Sequence, residues 1–188
     1  MTDMGRLSVA LVHHPCVNKE GRIVTTSVTT LDVHDFARLC RTYAVADLFI
    51  VTPLPAQRRL VERLSAHWLT GFGAACNPSR KEALTGVKVI DSIEAIYDNY
   101  RFLGRKEPKL AVTSAQKGDG VTGYDEGRAL LAASPETLLL FGTGFGLADE
   151  VMERADIRLA PIEGIDGFNH LSVRCAAAII LDRLRGAR

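Results

Sequence analysis

Short, largely apolar runs recur along this chain, each followed by a stretch with helical periodicity, and that alternation constrains the fold more than any other feature. The runs are Leu7 to His14, Asp47 to Thr52, Val87 to Ile90, Lys109 to Ser114, Thr137 to Phe141 and Ile157 to Ala160. A strand that is apolar throughout, without polar alternation, is buried on both faces. Helical segments are expected from Val33 to Tyr43 with Asp32 as N-cap, from Ala56 to Leu69 after Pro55, and from Asn77-Pro78 onward. Further helices are expected over Ser92 to Leu103, Gly123 to Ala133, Leu147 to Ala155 and Ser172 to Arg185. Residues Asn18 to Arg22 read as a turn, and the β-branched run Ile23 to Thr30 as extended chain. Together these define an α/β fold, a mostly parallel sheet flanked by helices.

With 188 residues, 47% of them apolar and 24% charged, the chain reads as one globular domain spanning residues 1–188. The apolar runs are too short to cross a membrane, and no basic segment with a long apolar core opens the chain, so the expected location is cytoplasmic with no membrane partner. A net charge of +1 neither demands nor excludes a nucleic-acid partner, because a local basic cluster suffices. Candidate basic groups are Arg58-Arg59, Arg63, Arg80-Lys81, Arg101 and Arg105-Lys106. Cys16, Cys40, Cys76 and Cys175 lie far apart without a CxxC pair, and read as buried free thiols. His13 and His14 are adjacent strand residues that point to opposite faces, so no metal site is expected from them.

In a parallel sheet, ligands bind beyond the carboxyl ends of the strands. Three segments leave such ends with unusual composition: Thr113-Ser114-Ala115-Gln116, the turn Gly142-Thr143-Gly144-Phe145-Gly146-Leu147, and Ala160 to His170 with Pro161, Ile162, Glu163, Gly164 and Asn169. The glycine turn is not a dinucleotide fingerprint, because its spacing is GxGxG and too few strands follow it to build a cofactor half-site. Nor is it a P-loop, since no Lys-Ser/Thr pair follows.

These residues resemble the SPOUT superfamily, the α/β-knot RNA methyltransferases. Leu138 to Leu147 is similar to its second motif, a strand with a Gly-rich loop ending in Gly-Leu; Arg158 to Leu181 is similar to its third, with Pro161, Ile162, Gly164, Ser172 and Val173 at the expected spacing. Asp32 to Val45 is similar to its first motif, with Arg38 at the motif's arginine. The resemblance is narrowest to small stand-alone bacterial proteins taken to be S-adenosylmethionine-dependent RNA methyltransferases. It implies a C-terminal trefoil knot and a homodimer. It also implies S-adenosylmethionine held by Thr113, Ser114, Ala115, Phe141, Gly142, Thr143, Gly144, Phe145, Gly146, Leu147, Pro161, Ile162, Glu163, Gly164, Asn169, Leu171 and Ser172. The implied partner is RNA, either tRNA or rRNA.

The ribose-methylating branch of the superfamily carries Glu within the second motif, where this chain reads Gly142-Thr143-Gly144, and Asn where this chain has His170. Base methylation is therefore favoured over ribose 2′-O-methylation. Arg38 is the candidate for contact with the target nucleotide, with a solvated helix face as the alternative. Glu163, Asp166 and His170 are the candidate general bases, with loop capping or packing at a helix start as the alternative for each. A non-catalytic knotted module that binds RNA or protein and retains the cofactor site is the rival reading.

Overall fold

The computed structural model describes residues 5–187; the ends of the expected 1–188 domain, residues 1–4 and 188, lie outside the described residues. Eight strands and eight helices follow one another as β1 (Arg6–Val12), β2 (Cys16–Val17), β3 (Ile23–Val24), α1 (Thr30–Thr42), β4 (Asp47–Val51), α2 (Pro55–Leu69), α3 (Phe72–Cys76), α4 (Pro78–Leu84), β5 (Val87–Ile90), α5 (Ile93–Phe102), β6 (Lys109–Val112), α6 (Tyr124–Ala133), β7 (Glu136–Gly142), α7 (Asp149–Glu153), β8 (Ile157–Arg158) and α8 (Val173–Arg185). Six strands form one sheet in the order β5-β4-β1-β7-β6-β8. Every pairing in it is parallel.

Strand periodicity assigns side chains to two cores. Leu7, Val9 and Leu11 of β1 join Leu48 and Ile50 of β4 and Leu139 and Phe141 of β7 beneath α1, α2, α6 and α8. Ala10, Val12, Phe49, Val51, Leu138 and Leu140 face the other way, onto α5 and α7 through Ile93, Ile96, Tyr100 and Val151. Both faces of the central strands are thus covered, as their unbroken apolar runs require.

Helix starts follow local chemistry. Ser92 and Ser172 cap α5 and α8, accepting from the amides of Ala95 and Cys175. The first helix departs from expectation: Thr29, not Asp32, is its N-cap, and Asp32 closes a reciprocal capping box three residues on. The extended run expected over Ile23 to Thr30 pairs only at Ile23–Val24, against Cys16–Val17 across the Asn18 to Arg22 turn. The helix expected over Leu147 to Ala155 is confined to Asp149–Glu153, because Leu147 is held in an antiparallel bridge to Cys16. Of the four thiols expected to be buried, Cys16 and Cys40 are; Cys76 ends α3 and Cys175 sits in the first turn of α8, both on solvent-facing positions.

Beneath the sheet, at the amino ends of the strands, Arg105 donates to both oxygens of Glu136 at 2.9 and 2.6 Å and to Asp47 at 2.6 Å, while Lys88 lies 2.9 Å from Asp47. Burial raises the Asp47 pKa, but hydrogen bonds from Lys88 and Arg105 outweigh it and hold the carboxyl below its ordinary value. Arg105, a candidate for RNA contact by sequence, is instead a nearly buried structural cation.

Candidate cofactor site at the carboxyl ends of the strands

The strand order places β7 between β1 and β6, so the turn after Gly142 emerges between the chain leaving β1 and the chain leaving β6. On the β1 side, the short strand β2 lies antiparallel across the turn. The Val17 amide donates to the Gly146 carbonyl at 2.9 Å, the Phe145 amide to Val17 at 3.0 Å and the Ala148 amide to Pro15 at 3.2 Å. Two glycines make this path possible. A Cβ on Gly142 would stand 2.7 Å from the Leu147 nitrogen, and Gly144 has φ +62° with the Val17 carbonyl 3.1 Å from where its Cβ would be.

Side chains complete the clamp. The Thr143 hydroxyl donates to the Val12 carbonyl at 2.9 Å and hydrogen-bonds the Thr26 hydroxyl, which in turn meets His13 Nδ1 at 2.9 Å. With the Thr143 proton committed to Val12, Thr26 donates to Thr143, and His13 must donate from Nδ1 to Thr26. That leaves His13 Nε2 as an unprotonated nitrogen, buried and without a partner. A second proton there would have no acceptor, and burial, partly offset by Asp32, lowers the His13 pKa to about 4. The neighbouring His14 turns to Thr25 at 3.1 Å. None of His13, Cys16, Val17 or Thr26 was singled out by sequence for this role, and the only local signal was a polar His-His-Pro-Cys run ending an apolar strand.

On the β6 side, Thr113 donates to the Leu140 carbonyl at 3.1 Å, fixing the exit of β6 against β7. The loop after β8 closes over this exit: Asn169 Nδ2 donates to the Ala115 carbonyl at 2.6 Å and Lys117 pairs with Glu163 at 2.9 Å. Gly164 is required within it, since a Cβ there would lie 2.1 Å from the Phe168 carbonyl oxygen. Two cavities flank the 116–121 segment. One, of about 430 Å³, is lined by Lys117, Tyr124, Pro161, Glu163 and Arg183; the other, of about 230 Å³, by Ser114, Phe145, Gly146, Leu147 and Arg158.

The residues expected to hold the cofactor are thus gathered at one end of the sheet but divided between these cavities and their walls. Phe141 is buried against Phe36 at 5.6 Å, and Ser172 is the α8 cap. Gly142 and Thr143 shape the turn from below, Ile162 packs against the core, and Gly144, Ala115 and Leu171 are open to solvent. Of the expected acid–base groups, only Glu163 faces a cavity. Asp166 accepts from the Phe168 amide at 3.2 Å, and His170 lies edge-on to Phe168 at 5.3 Å, both exposed. Arg38 is on the outer side of α1 and lines neither cavity.

The larger cavity falls within the usual size range for a small-molecule site, roughly 300–1,000 Å³. It has an apolar wall at Tyr124 and Pro161 and carries Lys117 and Arg183 beside the Glu163 carboxylate, whereas the glycine turn lines the smaller cavity through Phe145, Gly146 and Leu147. Gly146, with open space where a Cβ would be, allows close approach to the turn's backbone.

An all-parallel sheet of this order, with a clamped glycine turn and a closing loop at its carboxyl end, defines an α/β protein with its candidate ligand site beyond the strand ends. Similar solved structures include a probable methylase family protein from Haemophilus influenzae, with TM-score 0.64 and 16% identity over 97% of this chain and 66% of that one. A TrmH/SpoU tRNA modifying enzyme from A. aeolicus has TM-score 0.55 and 17% identity over 98% of this chain and 75% of its own. Residues 6–186 match the model of the SAM-dependent RNA methyltransferase family, and the chain belongs to that family. A relative from Oleidesulfovibrio alaskensis, called a tRNA (guanine-N(1)-)-methyltransferase, is 47% identical over 181 residues, 96% of this chain. The chain spans 42% of that relative's length, so the named activity is that of a molecule more than twice as long.

Proposed function

We propose that this chain is a single-domain methyltransferase that binds S-adenosylmethionine at the glycine turn and transfers its methyl group to tRNA or rRNA, at a base nitrogen rather than a ribose 2′-oxygen. The observation that carries the reading is the turn itself. Gly142 to Leu147 is fixed from one side by β2 and Thr143, and its other side opens toward the loop that Asn169 holds against Ala115. S-adenosylmethionine would supply an electrophilic methyl group on a sulfonium. The chain's own contribution is positioning, which supplies much of the rate in such a transfer.

Within this reading, Gly142, Thr143, Gly144, Phe145, Gly146 and Leu147 form the floor, Thr113, Ser114 and Ala115 one wall, and Pro161, Ile162, Glu163, Gly164, Asn169, Leu171 and Ser172 the cover. Glu163 is the proposed proton acceptor, because among the candidate bases it alone lines a cavity, the one across the 116–121 segment from the turn, where it also pairs with Lys117 at 2.9 Å. The base assignment is supported by the absence of a carboxylate from the turn, and guanine N1, named for the longer relative, is a nitrogen of that kind. A homodimer in which Arg38 of one copy reaches the site of the other accounts for its distance from both cavities, and a trefoil knot at residues 138–185 is the path the fold class implies. Among the described residues no helix is long and apolar enough to cross a membrane; the location proposed for action on RNA is the cytoplasm.

The rival reading, a binding module without catalysis, draws on Asp166 and His170, both exposed and engaged within their own loop. Titration calorimetry with S-adenosylmethionine tests the cofactor directly. Saturable binding at about one ligand per chain is expected, and no heat up to millimolar ligand would overturn the proposal. Loss of methyl transfer in Glu163→Gln with cofactor binding retained separates catalysis from binding alone.

A further inference from the structure

A second feature lies away from the strand ends, on the outer face shared by α1, α2, α3 and α4. Arg59, Arg63 and His67 are spaced four residues apart along α2 and all three are exposed. Like charges at that spacing destabilise a helix, so the Arg59–Arg63 pair is a cost to the fold. Elsewhere, Arg41, Arg58, Arg101, Arg154 and Arg174 each hold an acid. Arg59 and Arg63 make no ion pair among the described residues, although Glu62 shares their helix.

The stripe borders a built aromatic cluster. The Arg80 guanidinium stacks 4.4 Å from the centre of the Trp68 ring, and the His67 and His34 rings meet Trp68 edge-on at 4.9 and 5.7 Å. Gly73 presses onto the same rings: a Cβ there would stand 2.6 Å from Trp68 Cε3 and 2.9 Å from His67 Nε2. This seating of α3 turns the adjacent Phe72 outward, 80% exposed. Burial and then the charge of Arg80 lower the His34 pKa against the opposing pull of Asp35. Arg38 is exposed on α1, which packs against both α2 and α4.

We infer that this face docks RNA, with Arg59, Arg63 and Lys81 against backbone phosphates and the exposed Phe72 ring under an unstacked base. The inference rests on the RNA-methyltransferase reading and extends it to where the substrate lies outside the cofactor site. Cationic side chains interleaved with a fixed aromatic platform are what a strand of nucleic acid with splayed bases requires.

The test is fluorescence anisotropy of the full chain with unfractionated tRNA and, in a parallel arm, purified ribosomal RNA, across a salt series. Arg59→Ala/Arg63→Ala is expected to weaken binding about tenfold near physiological salt and to reduce the slope of log K against log salt by roughly 1.5 to 2, the share of two phosphate contacts. Phe72→Ala is expected to weaken binding about fivefold or more without changing the slope. Arg101→Ala/Lys106→Ala, on the opposite side of the sheet, is expected to bind as the unmodified protein does. Unchanged affinity in the first two variants, equal loss in the third, or no binding of either RNA by the unmodified protein would overturn the inference. Cofactor calorimetry and thermal melting on the same variants show that they are folded. Methyl transfer that persists while the patch variants bind normally would sink the docking surface alone. Failure of transfer with patch-dependent RNA binding intact would sink the catalytic reading alone.

Discussion

Charging His13 should unlatch the glycine turn, and the structure fixes both the sign and the size of the effect. Burial depresses the His13 pKa to about 4 in the folded chain, against an ordinary value of 6.5. The unfolded chain therefore binds the proton first as pH falls. The contribution of neutral His13 to stability is fully present above pH 6.5 and is lost progressively as the pH drops from there to about 4. A difference of about 2.5 pKa units corresponds to roughly 3 kcal/mol at the acid end, at about 1.4 kcal/mol per unit. The assay is urea unfolding at a series of pH values, comparing the unmodified chain with His13→Asn, whose amide keeps a donor toward Thr26 but does not titrate. The stability difference between the two should shrink by about 3 kcal/mol from neutral pH to pH near 4. His34, also depressed by burial, and the carboxylates are common to both proteins and cancel in the comparison. Parallel loss of stability in the two would refute the assignment of His13 as a buried neutral donor.

Three further outcomes follow from the same geometry. Gly142→Ala forces a Cβ to within 2.7 Å of the Leu147 nitrogen, so the turn must open; a loss of about 1–3 kcal/mol is expected, with S-adenosylmethionine affinity down at least tenfold by calorimetry. Thr143→Val removes the donor to Val12 and should cost about 1 kcal/mol in urea unfolding and weaken cofactor binding, whereas Thr143→Ser should restore both. Arg105→Met strips two buried carboxylates of a shared partner and should cost about 3 kcal/mol or more, leaving cofactor affinity unchanged because the cluster lies at the opposite end of the sheet.

The sheet was legible because its central strands are apolar on both faces. Leu7, Val9 and Leu11 alternate with Ala10 and Val12 between two cores, and nothing but a covered parallel sheet accepts such a run. Ser92 and Ser172 were legible as helix starts because the cap is local chemistry. Thr29 was missed in favour of Asp32 because the capping box presents two residues that each fit an N-cap, and only the backbone distinguishes them. The clamp on the glycine turn could not be read from sequence, since Val17 and Thr26 bond residues more than a hundred positions away, and His13 acts through Thr26, by hydrogen bonds that leave no periodic trace. Arg105 was misjudged for the same reason, its acidic partners being Asp47 and Glu136 from distant strands. The motif residues of the turn were visible, but their division between two cavities was not.

The most direct test of the central claim is methyl transfer itself. The purified chain is incubated with radiolabelled S-adenosylmethionine and RNA from cells lacking the gene, and the RNA is digested to nucleosides for identification of the labelled product. The account predicts label in a methylated base of tRNA or rRNA, saturating with RNA and lost in Gly142→Ala. No incorporation under conditions where the cofactor is bound, or label confined to ribose, would contradict it.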